Sequence, residues 1–210
     1  MGDEQCRMLV NEARQRVLNH VKNTGFTLLE LMITIAILAI LSLFAVPAFT
    51  GMLNNAKVRS IAEALQNGMR LAQTESIRRS HQSAFVLTDA TPALGATPAA
   101  NGKNWYIQIL PIVTGETSTD FYVQGGSFGN QTSGVTISGP AAICFNSIGR
   151  VTANAATGLG ANCAAPIGIQ TYDITRSGAD RTLRLQVNAT GKIRMCDVSK
   201  TLSASNPDGC

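Results

Sequence analysis

The sequence predicts an α+β fold: one long N-terminal helix, transmembrane in its first half, packed against an antiparallel β-rich globular head. Three observations carry this. An apolar run fills residues 26–49. A helical repeat of apolar positions continues to about residue 79. From Ser80 onward the apolar positions alternate, between clusters of Gly, Pro and Asn. Composition agrees. Only 14% of the 210 residues are charged, and 45% are hydrophobic with the densest block near the N-terminus. The remainder, with 19 Gly in all, suits short strands and loops. The length allows one domain with an appended helix.

The first element is a polar segment, 1–25. Arg7, Arg14, Arg16 and Lys22 outweigh Asp3, Glu4 and Glu12. That balance keeps this end cytoplasmic, which leaves Cys6 in a reducing compartment and unpaired. Next comes "FTLLELMITIAILAILSLFAVPAF". About twenty apolar residues cross a bilayer, and this run exceeds the h-region of a cleaved secretory signal. Pro47 and Phe49 also disrupt any small-x-small cleavage site, so the run reads as a retained anchor. Pro47 is expected to kink the helix rather than end it. The result is one helix over 26–80, about 55 residues or roughly 80 Å. Beyond the membrane, Val58, Ile61, Ala62, Leu65, Met69, Ala72 and Ile77 form an apolar stripe that needs cover. The head supplies it.

The head spans 81–210. Strands are expected at 83–88, 105–113, 121–124, 135–138, 142–147, 170–175, 182–188 and 192–196. "GNQTSG" and "TGLGANCAAP" read as surface loops. Four cysteines follow the apolar run, an even number that suits an oxidising compartment. Four allow three pairings. Cys144–Cys163 and Cys196–Cys210 are expected, because each closes a short loop rich in Gly, Ala, Asn or Ser. The alternative is free buried thiols.

Glu30 sits five residues into the apolar part. A lone carboxylate there costs about 2.5–3.5 kcal/mol, so it calls for a partner or a route to the headgroups. "GFTLLELM" ahead of a long apolar helix resembles the start of a type IV pilin or a type II secretion pseudopilin. "VRSIAEALQNGMRLAQTESIRR", "ICFNSIGRVT" and "GKIRMCDVSKTLSASNPDGC" are similar to minor pilins of the FimT/FimU/GspH type.

The resemblance implies a cleaved leader over 1–25. A prepilin peptidase cuts between Gly25 and Phe26 and methylates the new Phe26 amine. Pro47 matches the helix-kinking proline. Glu30 matches the acidic residue of the family and becomes the assembly contact, facing the Phe26 amine of a neighbouring subunit. Implied partners are the peptidase, other minor and major pilins through the N-terminal helix, and the inner membrane. The head is then periplasmic before the subunit moves to the pilus and cell surface.

No enzyme signature competes. His81 is the only histidine beyond the leader and reads as a solvated or capping residue. No zinc spacing, CxxC or phosphate loop is present, and no cofactor is expected. The basic tail is the remaining feature. Arg176, Arg181, Arg184, Lys192, Arg194 and Lys200 outnumber Asp180 and Asp197, within a net charge of +4. Leu183, Leu185 and Val187 point inward and Arg184 outward, and Lys192 and Arg194 flank the inward Ile193. Arg181, Arg184, Lys192 and Arg194 are the candidate contacts for double-stranded DNA, through phosphates rather than base edges. "GKIR" at 191–194 is similar to the Gly-basic-x-Arg element of FimT-like members implicated in DNA uptake. The competing reading is a solvated strand face.

Overall fold

The computed structural model describes residues 25–113, 115–116, 119–128, 134–163, 165 and 167–210. The expectations for the leader, including Cys6, fall on 1–24 and lie outside them. The chain divides into two compact units at Pro47. Helix α1, Leu28–Arg79, runs through that boundary for 52 residues.

In the first unit every described residue is solvent-exposed. The hydroxyls that interrupt this apolar helix are satisfied locally. Thr34 Oγ1 donates to the Leu31 carbonyl at 2.8 Å. Ser42 Oγ donates to the Leu38 carbonyl at 2.7 Å. Such back-bonds hide a hydroxyl within one helix.

The second unit holds nine strands among the described residues, in two antiparallel sheets. Sheet A contains β1 (Ser83–Thr88), β2 (Asn104–Ile109), β3 (Tyr122–Ser127), β5 (Ala142–Phe145) and β6 (Val151–Thr152) in the order β3-β2-β1-β5-β6. Sheet B contains β4 (Val135–Ser138), β7 (Gln170–Arg176), β8 (Leu183–Val187) and β9 (Ile193–Asp197) in the order β4-β7-β8-β9. The stripe Val58, Ile61, Ala62, Leu65, Met69 and Ala72 is buried against both. Phe85, Leu87, Trp105 and Ile107 meet it from sheet A, and Tyr172, Ile174, Leu185 and Val187 from sheet B. Each such side chain contributes about 1.5–3 kcal/mol on burial. Ala84, Val86 and Tyr106 occupy the other face of sheet A, beneath Leu159 and the Cys144–Cys163 disulfide. With both faces covered, β1 is buried along its whole length.

Several sequence expectations need correction. Ile77 is 51% exposed. At about 100° per residue it lies roughly 140° around the helix from Ala72, and Glu75 and Ser76 take the buried face instead. Strand β2 stops at Ile109 rather than 113, since Pro111 has no N–H to offer a ladder. Strand β3 extends past 124 through Gly125 and Gly126. Trp105 packs where a Cβ of residue 126 would lie, which requires glycine. Strand β6 was not expected, because two residues carry no readable periodicity.

The helix ends by a Schellman arrangement. Ser80 N donates to the Ile77 carbonyl and His81 N to the Ser76 carbonyl, both at 3.2 Å. Ser80 has φ 54°, a conformation that normally selects Gly. Glu75 accepts from Arg78 and Arg79 at 2.6–3.0 Å. The Arg78 hydrogen bond, against the cost of burial, holds its carboxyl below the usual carboxylate range.

Gln73, one residue past the buried stripe, contacts both sheets. Its Nε2 donates to the Gly149 carbonyl at 2.7 Å and to the Gly191 carbonyl at 2.9 Å. These are the β5–β6 turn of sheet A and the β8–β9 turn of sheet B. Gly191 has φ 86°, and a Cβ there would fall on the Gly149 carbonyl oxygen. Gly191→Ala is therefore expected to cost about 2 kcal/mol or more. Ser80→Gly is expected to gain about 0.5–1 kcal/mol. Urea unfolding followed by Trp105 fluorescence measures both.

Candidate functional site

At the start of α1, Gly25, Phe26 and Thr27 lie outside the helix and are exposed. Among the described residues nothing lies within 4 Å of where a Gly25 Cβ would be, and Phe26 is 82% exposed. Thr27 caps the helix. Its Oγ1 accepts from Glu30 N at 3.1 Å, and its carbonyl accepts from Leu31 N at 3.1 Å. This is the N-cap half of a capping box; it engages the Glu30 backbone N–H and leaves its carboxylate out of the cap bond. A carboxylate in the first turn also complements the positive end of the helix dipole.

The cysteines form Cys144–Cys163 and Cys196–Cys210, with Cα atoms 5.6 and 5.2 Å apart. The second bond holds the tail over the outer face of sheet B, where Cys196 lies. Asp197 N also donates to the Asp208 carbonyl, and Cys210 N to the Asp197 carbonyl.

The four basic residues do not form one open patch. Arg184 lies on the outer face opposite Asp173. Its Nε and Nη2 donate to the two carboxylate oxygens at 2.6 and 2.8 Å, a bidentate pair that neutralises it. That hydrogen bond raises the Arg184 pKa further. Arg194 Nη2 donates to the Pro207 and Gly209 carbonyls at 3.1 and 2.6 Å and so clamps the tail. Lys192 is exposed in the β8–β9 turn. Arg181 is exposed at the other end of β8, beside α1 residues 52–59. Gln73, at the Lys192 end, is about 27 Å along the helix from Asn55. Arg176 is also held at that lower end, donating to Asn54 Oδ1 at 2.7 Å. A shallow depression of about 160 Å³ joins Lys192 and Arg194 to Gln186, Asn188 and Ile169. His81 Nδ1 lies 2.8 Å from the Arg79 carbonyl, at the helix end.

Arg194→Gln is expected to release the tail. Backbone amides at 203–209 should exchange at least about tenfold faster, as two charge-assisted bonds are lost. Lys192→Gln should leave them unchanged. Hydrogen exchange with mass readout separates the two.

Residues 21–46 match the family described as the prokaryotic N-terminal methylation motif. Residues 62–191, more than half the chain, match the family described as type II transport protein GspH. The chain is 35% identical over 101 residues to the type IV major pilin protein PilE1 of Neisseria gonorrhoeae, covering 48% of this chain and 45% of that one. It thus spans about half the length of the curated relative it matches. Two solved structures are similar. The type IV minor pilin FimU of Pseudomonas aeruginosa aligns with TM-score 0.47 and 16% identity, over 69% of this chain and 92% of that one. The minor pseudopilin EpsH of the Vibrio cholerae type 2 secretion system aligns with TM-score 0.43 and 13% identity, over 67% and 97%. With the methylation motif on its apolar helix and the matched head behind it, this chain belongs to the GspH family of pilin-like proteins.

Proposed function

We propose that this chain is a minor type IV pilin, a structural subunit and a peptidase substrate rather than an enzyme. Residues 26–49 anchor it in the bacterial inner membrane, with the N-terminal side cytoplasmic and the head periplasmic. A prepilin peptidase cuts between Gly25 and Phe26 and methylates Phe26. The subunit then joins other pilins in the pilus or its initiating tip complex. Pro47 bends the helix on the way. The observation that carries this reading is the uncovered apolar helix behind an exposed Gly25–Phe26 step, ending its first turn in Glu30. An apolar surface of that length belongs in lipid or against other helices.

Assembly turns on Glu30. Cleavage creates an ammonium on Phe26, and the Glu30 carboxylate of a neighbour pairs with it. Low dielectric strengthens the attraction, and pairing offsets the burial of either charge alone. A second reading, favoured by the GspH family description, is a minor pseudopilin of type II secretion. Deletion separates the two: loss of surface pili supports the first, loss of exported enzymes the second. DNA capture is a further role, supported by exposed Lys192 beside Arg194 in a sequence that resembles DNA-uptake members.

Glu30→Ala and Glu30→Leu should both be cleaved, yet enter filaments at least about tenfold less well, as expected for breaking a buried charge pair. Normal incorporation of both would remove this role. For DNA, the full chain should shift duplex DNA in a salt-dependent manner, and Lys192→Gln should lower the salt slope by about one. An unchanged slope would remove Lys192 from DNA contact.

A further inference from the structure

Two surfaces at the C-terminal end of α1 share apolar chemistry and carry opposite charge. The first surrounds the Gly149–Gly191 contact. Ile77 Cδ1 lies 2.8 Å from where a Gly149 Cβ would be. Ile148 and Arg150 flank Gly149 in the β5–β6 turn, and Lys192 follows Gly191. Ile77 and Ile148 are 51% and 67% exposed. Arg150 and Lys192 are exposed too, and among the described residues no ion pair engages either. No Asp or Glu occurs from 121 to 172.

The second surface is the β2–β3 loop. The Asp120 carbonyl accepts from Arg79 Nη1 at 2.7 Å, which ties the loop to the helix end. Ile112 and Val113 are 68% and 63% exposed. Ile112 N donates to Glu116 Oε2 at 2.9 Å, and Glu116 N donates to the Val113 carbonyl at 3.2 Å. These bonds hold two exposed apolar residues and a carboxylate in one turn. A backbone N–H does not cancel the charge of that carboxylate. No Lys or Arg occurs from 104 to 149, so the loop is acidic.

The two surfaces face apart. Ile77 and Arg79 are about 200° apart around α1 and about 3 Å apart along it. The basic surface and the acidic loop thus lie on opposite sides of the helix end, at one level. They cannot meet within one chain, but a second copy presents each with its complement. We propose that the heads of two copies of this chain dock side by side, with the Ile112–Val113 loop of one on the Ile77–Ile148 surface of the next and Glu116 facing Arg150. Such a contact is heterologous, so each docked pair leaves one surface of each kind open and the array extends. Four aliphatic side chains bury well under the roughly 1,000 Å² of an interface that is stable in dilute solution. The contact needs copies already concentrated by a shared anchor, and in that respect it rests on the subunit reading above.

Disulfide crosslinking tests it, in membranes of cells that co-express two differently tagged full-length copies, both carrying Cys6→Ser. A copy with Ile148→Cys and a copy with Ile112→Cys should form a mixed dimer on mild oxidation. Either copy expressed alone should give no more dimer than chains without the added cysteine. Glu116→Lys on the Ile112→Cys copy should lower the mixed yield about fivefold, and Arg150→Glu on the Ile148→Cys copy should do the same. The two reversals together should restore it. Arg150 is the cation to vary because Lys192 carries the DNA reading. Absence of the mixed dimer, an equally abundant Ile148→Cys self-dimer, or reversals that fail to rescue each other would overturn the contact. So would an Ile148→Cys crosslink to a different pilin without the mixed dimer. Filament analysis separates this from the subunit reading. Processed chain in filaments without the mixed dimer overturns the docking alone. A mixed dimer with no chain in pili or secretion filaments overturns the subunit reading alone.

Discussion

The apolar stripe of α1 from Val58 to Ala72 must be kept from water, and most of the head follows from that constraint. No single sheet in this chain covers it. Sheet A supplies Phe85, Trp105 and Ile107, and sheet B supplies Tyr172, Leu185 and Val187. The two sheets share no strand, so they need a joint. Gln73, one residue beyond the stripe, provides it by donating to a turn of each sheet. Val151 N adds a direct bond from β6 to the Ala189 carbonyl at 3.2 Å. Gly149 and Gly191 are the residues at which the turns meet, and the lack of a Cβ at Gly191 is what lets them close.

This joint changes the meaning of "GKIR". In the sequence the element reads as basic and outward. In the fold its Gly191 is a packing residue and its Arg194 is a tail clamp. Lys192 is the member left facing solvent. Arg184 is likewise engaged, by Asp173 across the β7–β8 ladder. Charge counted along a chain overstates charge available to a partner wherever strands bring opposite signs together. Of the four candidate DNA contacts, two are left exposed and lie apart, Lys192 at the joint and Arg181 beside α1 residues 52–59.

Much of the fold was legible. The apolar run, the stripe from Val58 to Ala72 and most strand cores follow from periodicity, which local sequence records. What was missed depends on contacts distant in sequence. Strand β6 exists because Phe145 and Val151 pair across a tight turn, not because two residues prefer extension. Ile77 carries the right chemistry at the wrong angle, and counting spacing from Ala72 would have shown this. The Thr27 N-cap was readable, since a hydroxyl residue stands just ahead of the apolar helix.

The central claim is that the uncovered apolar helix enters a filament only after the Gly25–Phe26 bond is cut. The intact mass of this chain in sheared, purified surface filaments tests that most directly. A single species that begins at N-methylated Phe26 and retains both disulfides is expected. A chain recovered from filaments with residues 1–25 still attached, or a processed chain found only in the membrane fraction, would contradict it.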